Sequence, residues 1–565
     1  MKRPWIIGAL LLAAVLTGLL AGPALADERS DKVDRIFAAW DRPDSPGVSL
    51  AVIENGAVIY ARGYGCANLE LGVSMSPASV FYIASTSKQF TAMCAVLLSL
   101  QGKLSLDDDV RKYIPELPDY GTPLTVRMLA SHTAGLRDEL VLAQMAGRNF
   151  GEIHRAEAVA LVARQRELNF EPGTQYAYSN SGFLLLSLVV ERASGKNFRE
   201  FAQEALFGPL GMTHSRFHDD YRVPIMNRAS GYLVGPARDT YLNYISTYDG
   251  VGAGGLYTSV EDMALWDRNF YDAKVGGPEA LRLMQTPAVL KSGEKLDYAL
   301  GLMLGSYKGL PVVHHGGILE GYRAEIMRFP EQRFSVIVLA NLSTIDPTKL
   351  TYQVADVYLA GRFKKEETVQ TEPKPKFIQL PESRLKELAG TYLRVEDRTL
   401  LNLPLQDGRL MVEYEHLPIP LSAVSETELQ VPTMAVFRFD KPQPGKPAAF
   451  TLLFGAQKPA RYEKIVPLVL TSEERRALAG SYWCDELEAA FRLAVRDGRL
   501  VLLRGSAPAD TLVPTARDQF TADTLALRIV RDAAGAVSGF RLDGQRARNF
   551  WCEKTADRTS AQSGR

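Results

Sequence analysis

At 565 residues the chain is too long for one hydrophobic core, and three or four domains are expected. Lys plus Arg and Asp plus Glu each number 65, so the formal net charge is zero. That balance argues against a polyanionic partner, and no nucleic-acid-binding module can be read in the chain.

The first 26 residues read as a secretory signal. Met1-Lys2-Arg3 is a charged start, Ile6 to Leu20 is an apolar core, and Ala24-Leu25-Ala26 is a small-x-small cleavage site before Asp27. An uncleaved anchor is the weaker reading, because the apolar run is short for a membrane span. No lipidation cysteine follows. The expectation is a secreted, periplasmic protein with no stable membrane anchor after cleavage.

Val33, Ile36, Phe37 and Trp40 recur at helical spacing. Val48 to Ile53 and Ala57 to Tyr64 flank Asn55-Gly56, a hairpin signal. Next comes Ala84-Ser85-Thr86-Ser87-Lys88, an S-x-x-K motif opening an apolar run from Phe90 to Leu100 that stops at Gly102. Phe90, Met93, Cys94, Val96, Leu97, Leu98 and Leu100 leave that segment no polar face, so it reads as a buried helix. Ser85 then sits at its N-terminus, with Lys88 one turn on and on the same face. A serine becomes nucleophilic when a neighbouring base takes its proton. A lysine in apolar surroundings loses its charge more easily. N–H groups at a helix start would face a developing oxyanion. A serine in this position is also an ordinary helix cap, so the motif needs support from elsewhere.

His132, in Ser131-His132-Thr133-Ala134-Gly135-Leu136, reads as structural more readily than as a base. Pro172-Gly173 marks a turn, and an apolar helix follows from Phe183 to Val190. Tyr178 and Asn180 therefore lie on a loop ahead of a helix. There a tyrosine can relay protons and an asparagine can hold a carbonyl; ordinary turn chemistry is the alternative. Gly252 to Ser259 is glycine-rich but lacks the Lys-Ser/Thr pair of a phosphate loop. Ser259 is expected to cap the next helix, with Asp262 completing a capping box. Strands are expected at Tyr298 to Leu304, Val312 to Gly317, Tyr322 to Phe329 and Phe334 to Asn341, then a helix from Leu350 to Ala360. That order suggests an antiparallel sheet with helices on its faces.

After a charged, proline-bearing linker the chain repeats itself. Leu388-Ala389-Gly390-Thr391-Tyr392 returns as Leu478-Ala479-Gly480-Ser481-Tyr482. Asp407-Gly408-Arg409-Leu410 returns as Asp497-Gly498-Arg499-Leu500, and Glu463-Lys464 as Glu553-Lys554. The offset is constant at about 90 residues, the mark of a tandem duplication. Short alternating segments make each copy a small antiparallel barrel. First and last strands are neighbours in a closed up-and-down barrel, which makes Cys484 and Cys552 the disulfide candidate, although spacing alone does not set connectivity. Cys94 reads as a small apolar residue in its helix. The expected segments are a signal (1–26), a main domain (27–363), a linker (364–379), two barrels (380–470 and 471–556) and a disordered tail (557–565).

Ser85-x-x-Lys88, Tyr178-x-Asn180 and His315-x-Gly317 occur in the order used by serine enzymes of the penicillin-recognising group, and residues 30–362 resemble its class C-like branch. His315 is chosen over His314 because the family's following Gly-aromatic pair, here Gly321-Tyr322, fits only from His315. The resemblance implies an α+β fold: a β-lactamase-like antiparallel sheet with flanking helices and an all-helical subdomain, followed here by two lipocalin-like barrels. It implies Ser85, Lys88 and Tyr178 as catalytic residues, and Asn180, His315 and Gly317 at the substrate. It implies an oxyanion hole from the N–H groups of Ser85 and Ile318. No metal or cofactor is implied. The histidine departs from the β-lactamase pattern, where a lysine clamps the substrate carboxylate; His is only partly charged near neutral pH. H-x-G members include D-aminopeptidases and esterases, and the three-domain order resembles that of D-aminopeptidases. There the barrels help restrict the site to small substrates with a free amine. The implied function is an exported serine hydrolase working through an acyl-enzyme on small amides or short peptides, including peptidoglycan-derived ones. A carboxylesterase, a β-lactamase or D-Ala-D-Ala carboxypeptidase, and a penicillin-binding sensor or cell-wall docking protein are the alternatives.

Overall fold

The computed structural model describes residues 28–555 except 150, 152, 238, 364–376, 397, 415–416, 432–434, 444, 455–458 and 523. The signal reading, most of the linker and the tail therefore lie outside the described residues. Helix α1 (Glu28–Phe37) leads to strand β1 (Val48–Glu54), whose residues are buried up to Ile53. Asn55 and Gly56 have φ of 56° and 78°, as a tight turn of this hand requires, and return the chain into β2 (Ala57–Tyr64). β3 (Met303–Tyr307), β4 (Leu310–Leu319), β5 (Tyr322–Phe329) and β6 (Phe334–Ala340) complete a six-stranded sheet of order β3-β4-β5-β6-β1-β2, antiparallel throughout.

Strand period splits the burial between two faces. Val48, Leu50, Val52, Val336 and Val338 join one core with α1 and the helix Pro347–Leu359. Ala51, Ile53, Ile337 and Leu339 join the other, with the helices Lys88–Leu100 (α2) and Asn180–Ser194 (α3). Each valine, leucine or isoleucine among them contributes about 1.5–3 kcal/mol on burial.

Three local expectations meet a different arrangement. Ser85 lies not in the α-helix but in a 3-10 turn, Ala84–Ser87, that precedes it. Tyr298 to Leu302 is not strand; β3 begins at Met303, which leaves Tyr298 free to face the site. Ser259 does cap its helix, accepting from the Asp262 amide at 3.2 Å. The Asp262 carboxylate, however, accepts from His214 N and Ser215 Oγ, so no capping box forms.

The C-terminal part holds a half-barrel and a nearly closed nine-stranded barrel. The duplicated motifs are the same physical devices built twice. Tyr392 donates to Leu388 O (2.7 Å), as Tyr482 does to Leu478 O (2.6 Å). Gly390 and Gly480 have φ of 144° and 150°, and a Cβ on either would meet Lys464 or Lys554. In the nine-stranded barrel Gly480–Cys484 pairs with Ala547–Thr555, Trp483 facing Glu553. The next step of that register sets Cys484 opposite Cys552; both are buried free thiols.

This barrel packs on the helical subdomain through one continuous core that joins Leu142, Met145 and Leu184 to Phe540 and Phe550. Arg137, fully buried, donates to Glu486 Oε2 (2.7 Å) and to Arg548 O (2.6 Å) across the same contact. Among the described residues no helix is long and apolar enough to cross a membrane.

Candidate active site

Ala84 has φ of 46°, a strained value for a residue with a Cβ, and opens the 3-10 turn that carries Ser85 ahead of α2. Lys88 is fully buried. Its Nζ lies 3.0 Å from Ser85 Oγ, 2.8 Å from Asn180 Oδ1 and 2.8 Å from the carbonyl of Ala253. Burial lowers its pKa to about 7, against the opposing pull of Glu139 and Asp138. The neutral amine can then accept the Ser85 proton while donating to the other two oxygens. The Tyr178 ring centroid lies 4.8 Å from Lys88 Nζ, beside Ser85. Burial pushes the phenol well above its ordinary value, so it stays protonated.

β4 runs alongside the Ser85 turn. A Cβ on Gly317 would come within 2.1 Å of Ile83 O, so only glycine permits this approach. Thr86 Oγ1 donates to His315 O (3.2 Å) and fastens the turn to the strand. Ile318 follows, its side chain 74 % exposed at the rim. Neighbouring backbone N–H groups on a strand and a helix-opening turn are the means by which an oxyanion is held.

His315 differs from its expected place at the substrate. Its ring is 1 % exposed, and both nitrogens are engaged within the protein. Ser179 N donates to His132 Nδ1 (3.2 Å), which makes His132 Nε2 the donor to Tyr298 Oη (3.1 Å). Tyr298 then donates to His315 Nε2 (3.1 Å), and His315 Nδ1 donates to Gly316 O (2.7 Å). A backbone donor at one end and a backbone acceptor at the other assign every proton in this chain. Both imidazoles are neutral. Burial lowers His315 to about 3 and His132 well below its ordinary value.

Asn180 is held rather than free. Asp138, fully buried, accepts from its backbone N (2.8 Å) and its Nδ2 (3.1 Å) at one carboxylate oxygen. Arg546, at the tip of the last barrel hairpin, stands 3.2 Å from the same oxygen. Asp138, Tyr298 and Arg546 carry no motif in the sequence and were not singled out by it. Among the described residues no group of three or more His, Cys, Asp or Glu side chains is arranged to hold a metal ion.

An antiparallel sheet flanked by helices, with a buried lysine against a serine at a helix start, is the form taken by serine hydrolases of the β-lactamase fold. Residues 33–359, more than half of the chain, match the Beta-lactamase family model. The chain belongs to that family and is a serine hydrolase. It is 28 % identical over 473 residues to a D-aminopeptidase of Gluconobacter oxydans, covering 82 % of this chain and 85 % of that protein. It is 27 % identical over 515 residues to a D-aminopeptidase of Brucella melitensis, covering 87 % and 93 %. In fold it is similar to the octameric penicillin-binding protein homologue from Pyrococcus abyssi (TM-score 0.54, 24 % identity, 77 % of this chain and 99 % of that one). It is also similar to the D-amino acid amidase of Ochrobactrum anthropi (TM-score 0.51, 21 % identity, 60 % and 100 %).

Proposed function

We propose that the enzyme is an exported, D-aminopeptidase-like amidase that works through an acyl-enzyme at Ser85. The observation that carries this reading is the Lys88 amine, buried, brought to about 7 and 3.0 Å from Ser85 Oγ. Neutral Lys88 takes the Ser85 proton as the oxygen attacks an amide carbonyl. The developing oxyanion lies between the N–H groups of Ser85 and Ile318. Tyr178, beside Lys88, delivers its proton to the leaving amine and takes up in turn the proton that Lys88 received from Ser85. Water then enters by the same route in reverse and releases the acyl group. Asn180 orients Lys88, and His315 acts as a neutral strut for β4 through the Tyr298 chain.

A neutral, enclosed His315 offers no fixed cation to a substrate carboxylate. That favours amides over penicillins and carboxylate-ended peptides. The relatives named D-aminopeptidase support a D-amino-acid amide or short peptide with a free amine, and the barrel hairpin that carries Arg546 to the site suits a role in limiting substrate size. The stretch Met1 to Ala26 supports export.

The test is release of p-nitroaniline from D-alanine p-nitroanilide, with the L-isomer and p-nitrophenyl acetate alongside. Multiple turnover on the D-amide is expected, and Ser85→Ala should lower it by at least about 10³-fold while the protein stays folded. Turnover of the ester alone would move the enzyme to the esterase branch, and full activity in Ser85→Ala would end the assignment.

A further inference from the structure

Glu139 is a buried carboxyl group with no part in the proposed mechanism. It opens the helix Glu139–Met145, directly after Asp138, and both side chains are fully enclosed. The two carboxyl groups have different surroundings. Asp138 accepts from Leu140 N (3.1 Å) and Val141 N (3.2 Å), and from the backbone N and Nδ2 of Asn180; Arg546 stands 3.2 Å away. All of these partners donate, which suits an ionised carboxylate, an acceptor only.

At Glu139 the protons have to be counted. Oε2 meets Ser181 Oγ at 2.8 Å, while Oε1 is buried and has no hydrogen-bond partner among the described residues. Ser181 follows Asn180 in α3. Its hydroxyl accepts from Glu139 N (2.8 Å) and lies 2.7 Å from Arg137 O. A hydroxyl has one proton to give and two lone pairs that accept. If Glu139 were ionised, Arg137 O and Glu139 Oε2 would compete for that single proton, and one of them would go without. With a proton on Oε2 every contact is answered. Glu139 donates to Ser181, Ser181 donates to Arg137 O, and the Glu139 N–H fills the second lone pair. The unpaired Oε1 points the same way, because a buried charge without a partner costs far more than a buried neutral carbonyl.

The charged and titratable groups around Glu139 agree. Asp138 faces it from its own turn, Lys88 from α2, and Tyr248 from the segment ahead of Gly250. Burial raises the Tyr248 phenol well above its ordinary value, so it carries no charge near neutral pH. Arg546 lies on Asp138. Burial, and then the Asp138 charge, raise the Glu139 carboxyl. Any charge on Glu139 opposes the lowering of Lys88, ahead of Asp138. A second carboxylate here would therefore hold a proton on the amine that Ser85 needs free.

We propose that Glu139 is a positioning residue for Lys88: it stays a neutral acid, with its proton on Oε2 and donated to Ser181, and so withholds the charge that would keep Lys88 protonated. Its side chain is enclosed, so it acts through Lys88 and does not touch substrate. The inference rests on the reading of Lys88 as the base for Ser85.

Glu139→Gln reproduces the neutral acid, an amide N–H replacing the acid O–H on Ser181. The native protein holds a proton that the unfolded chain releases above the ordinary 4.5, so the stability due to this group falls as pH rises from there toward the folded value. Urea midpoints of the unmodified protein and of Glu139→Gln are measured at pH 5 and pH 7. The unmodified protein should lose stability relative to the variant over that interval, by up to about a hundredfold in the unfolding equilibrium. Only the change with pH is compared, so a constant loss in the variant does not enter. Parallel midpoints would overturn the proposal. A second measurement needs no variant. Infrared spectra at pH 7 of protein with labelled glutamate carboxyls should contain the carbonyl stretch of a protonated acid, and its absence would also overturn the proposal. The rising limb of kcat/KM should lie at the same pH in Glu139→Gln. A limb moved about one unit or more to lower pH would show a charged Glu139 beside Lys88 and sink the idea. Full activity in Ser85→Ala would instead remove the base reading, while the midpoints and the infrared band would still decide where the Glu139 proton is.

Discussion

Asp138 and Arg546, far apart in sequence, meet at 3.2 Å beside the Ser85–Lys88 pair. The same Asp138 oxygen holds Asn180, and Asn180 Oδ1 accepts from Lys88. The tip of the last barrel hairpin is therefore two residues removed from the proposed base.

Arg546→Ala should slow the enzyme near neutral pH by disturbing that base. The Arg546 cation lowers the Lys88 pKa, while Asp138 and Glu139 raise it. Without the cation the balance moves upward, and a larger fraction of Lys88 is protonated and unable to accept the Ser85 proton. The rising limb of kcat/KM should move to higher pH, with a several-fold loss at pH 7. Arg546→Lys should keep most of the original profile. A pH–rate series on the two variants checks this; superimposable profiles for Arg546→Ala would show that the ion pair leaves the base untouched.

In the unmodified enzyme kcat/KM should rise with pH through about 7, as Lys88 loses its proton. Lys88→Met should abolish turnover, by about 10³-fold or more, because it removes the amine that contacts Ser85 Oγ. Stability carries the same signature. The folded-state pKa lies below the ordinary 10.5, so unfolding takes up a proton between about 7 and 10.5. Stability due to this group is lost as pH falls through that window and regained as it rises. Urea midpoints of the parent and of Lys88→Met, compared at pH 7 and pH 9, should differ in slope by this contribution.

Gly317→Ala tests the approach of β4 to the Ser85 turn. The added Cβ would lie 2.1 Å from Ile83 O, so strand and turn must separate. The Ile318 N–H moves with the strand. Loss of one oxyanion donor costs about 10²–10³ in kcat, and a loss of that order is expected here, with KM changed much less. Steady-state kinetics on the D-amide decides; a drop carried by KM alone would place Gly317 in binding rather than in catalysis.

Cys484 and Cys552 oppose one another between neighbouring strands and are free here. We expect an oxidising export compartment to join them, two thiols giving up two protons and two electrons to a disulfide-donating oxidase. Thiol counting under denaturing, non-reducing conditions should then find Cys66 and Cys94 alone. Four titratable thiols on protein from an oxidising compartment would exclude the bridge.

Much of the site was legible because its motifs are local. Ser85 and Lys88 are one turn apart, and an apolar run with no polar face could only be a buried helix, which predicts a depressed lysine. The spacing from Gly321-Tyr322 chooses His315 over His314 and so sets the register of Gly317 and Ile318. The repeat is equally plain, because the same turns, glycines and tyrosines recur in both copies, although one copy forms a half-barrel and the other a nearly closed barrel. Three things were not legible. Tyr298 opens a stretch that reads as strand, whereas it is the bridge between two histidines. His315 takes its expected place at the substrate from its motif position, whereas its ring hydrogen bonds enclose it. Asp138 and Arg546 carry no pattern at all, since a contact between residues so far apart leaves no periodicity.

The sequence by itself determined the family, the helix that presents Ser85 and Lys88, and the two-copy barrel, because each follows from spacing over a few residues or a constant repeat. Tertiary structure alone decided the charge state of the site, the neutral His132–Tyr298–His315 chain and the reach of the barrel hairpin to Asp138. Burial and Coulomb interaction depend on distance through space, and distance along the chain does not give it.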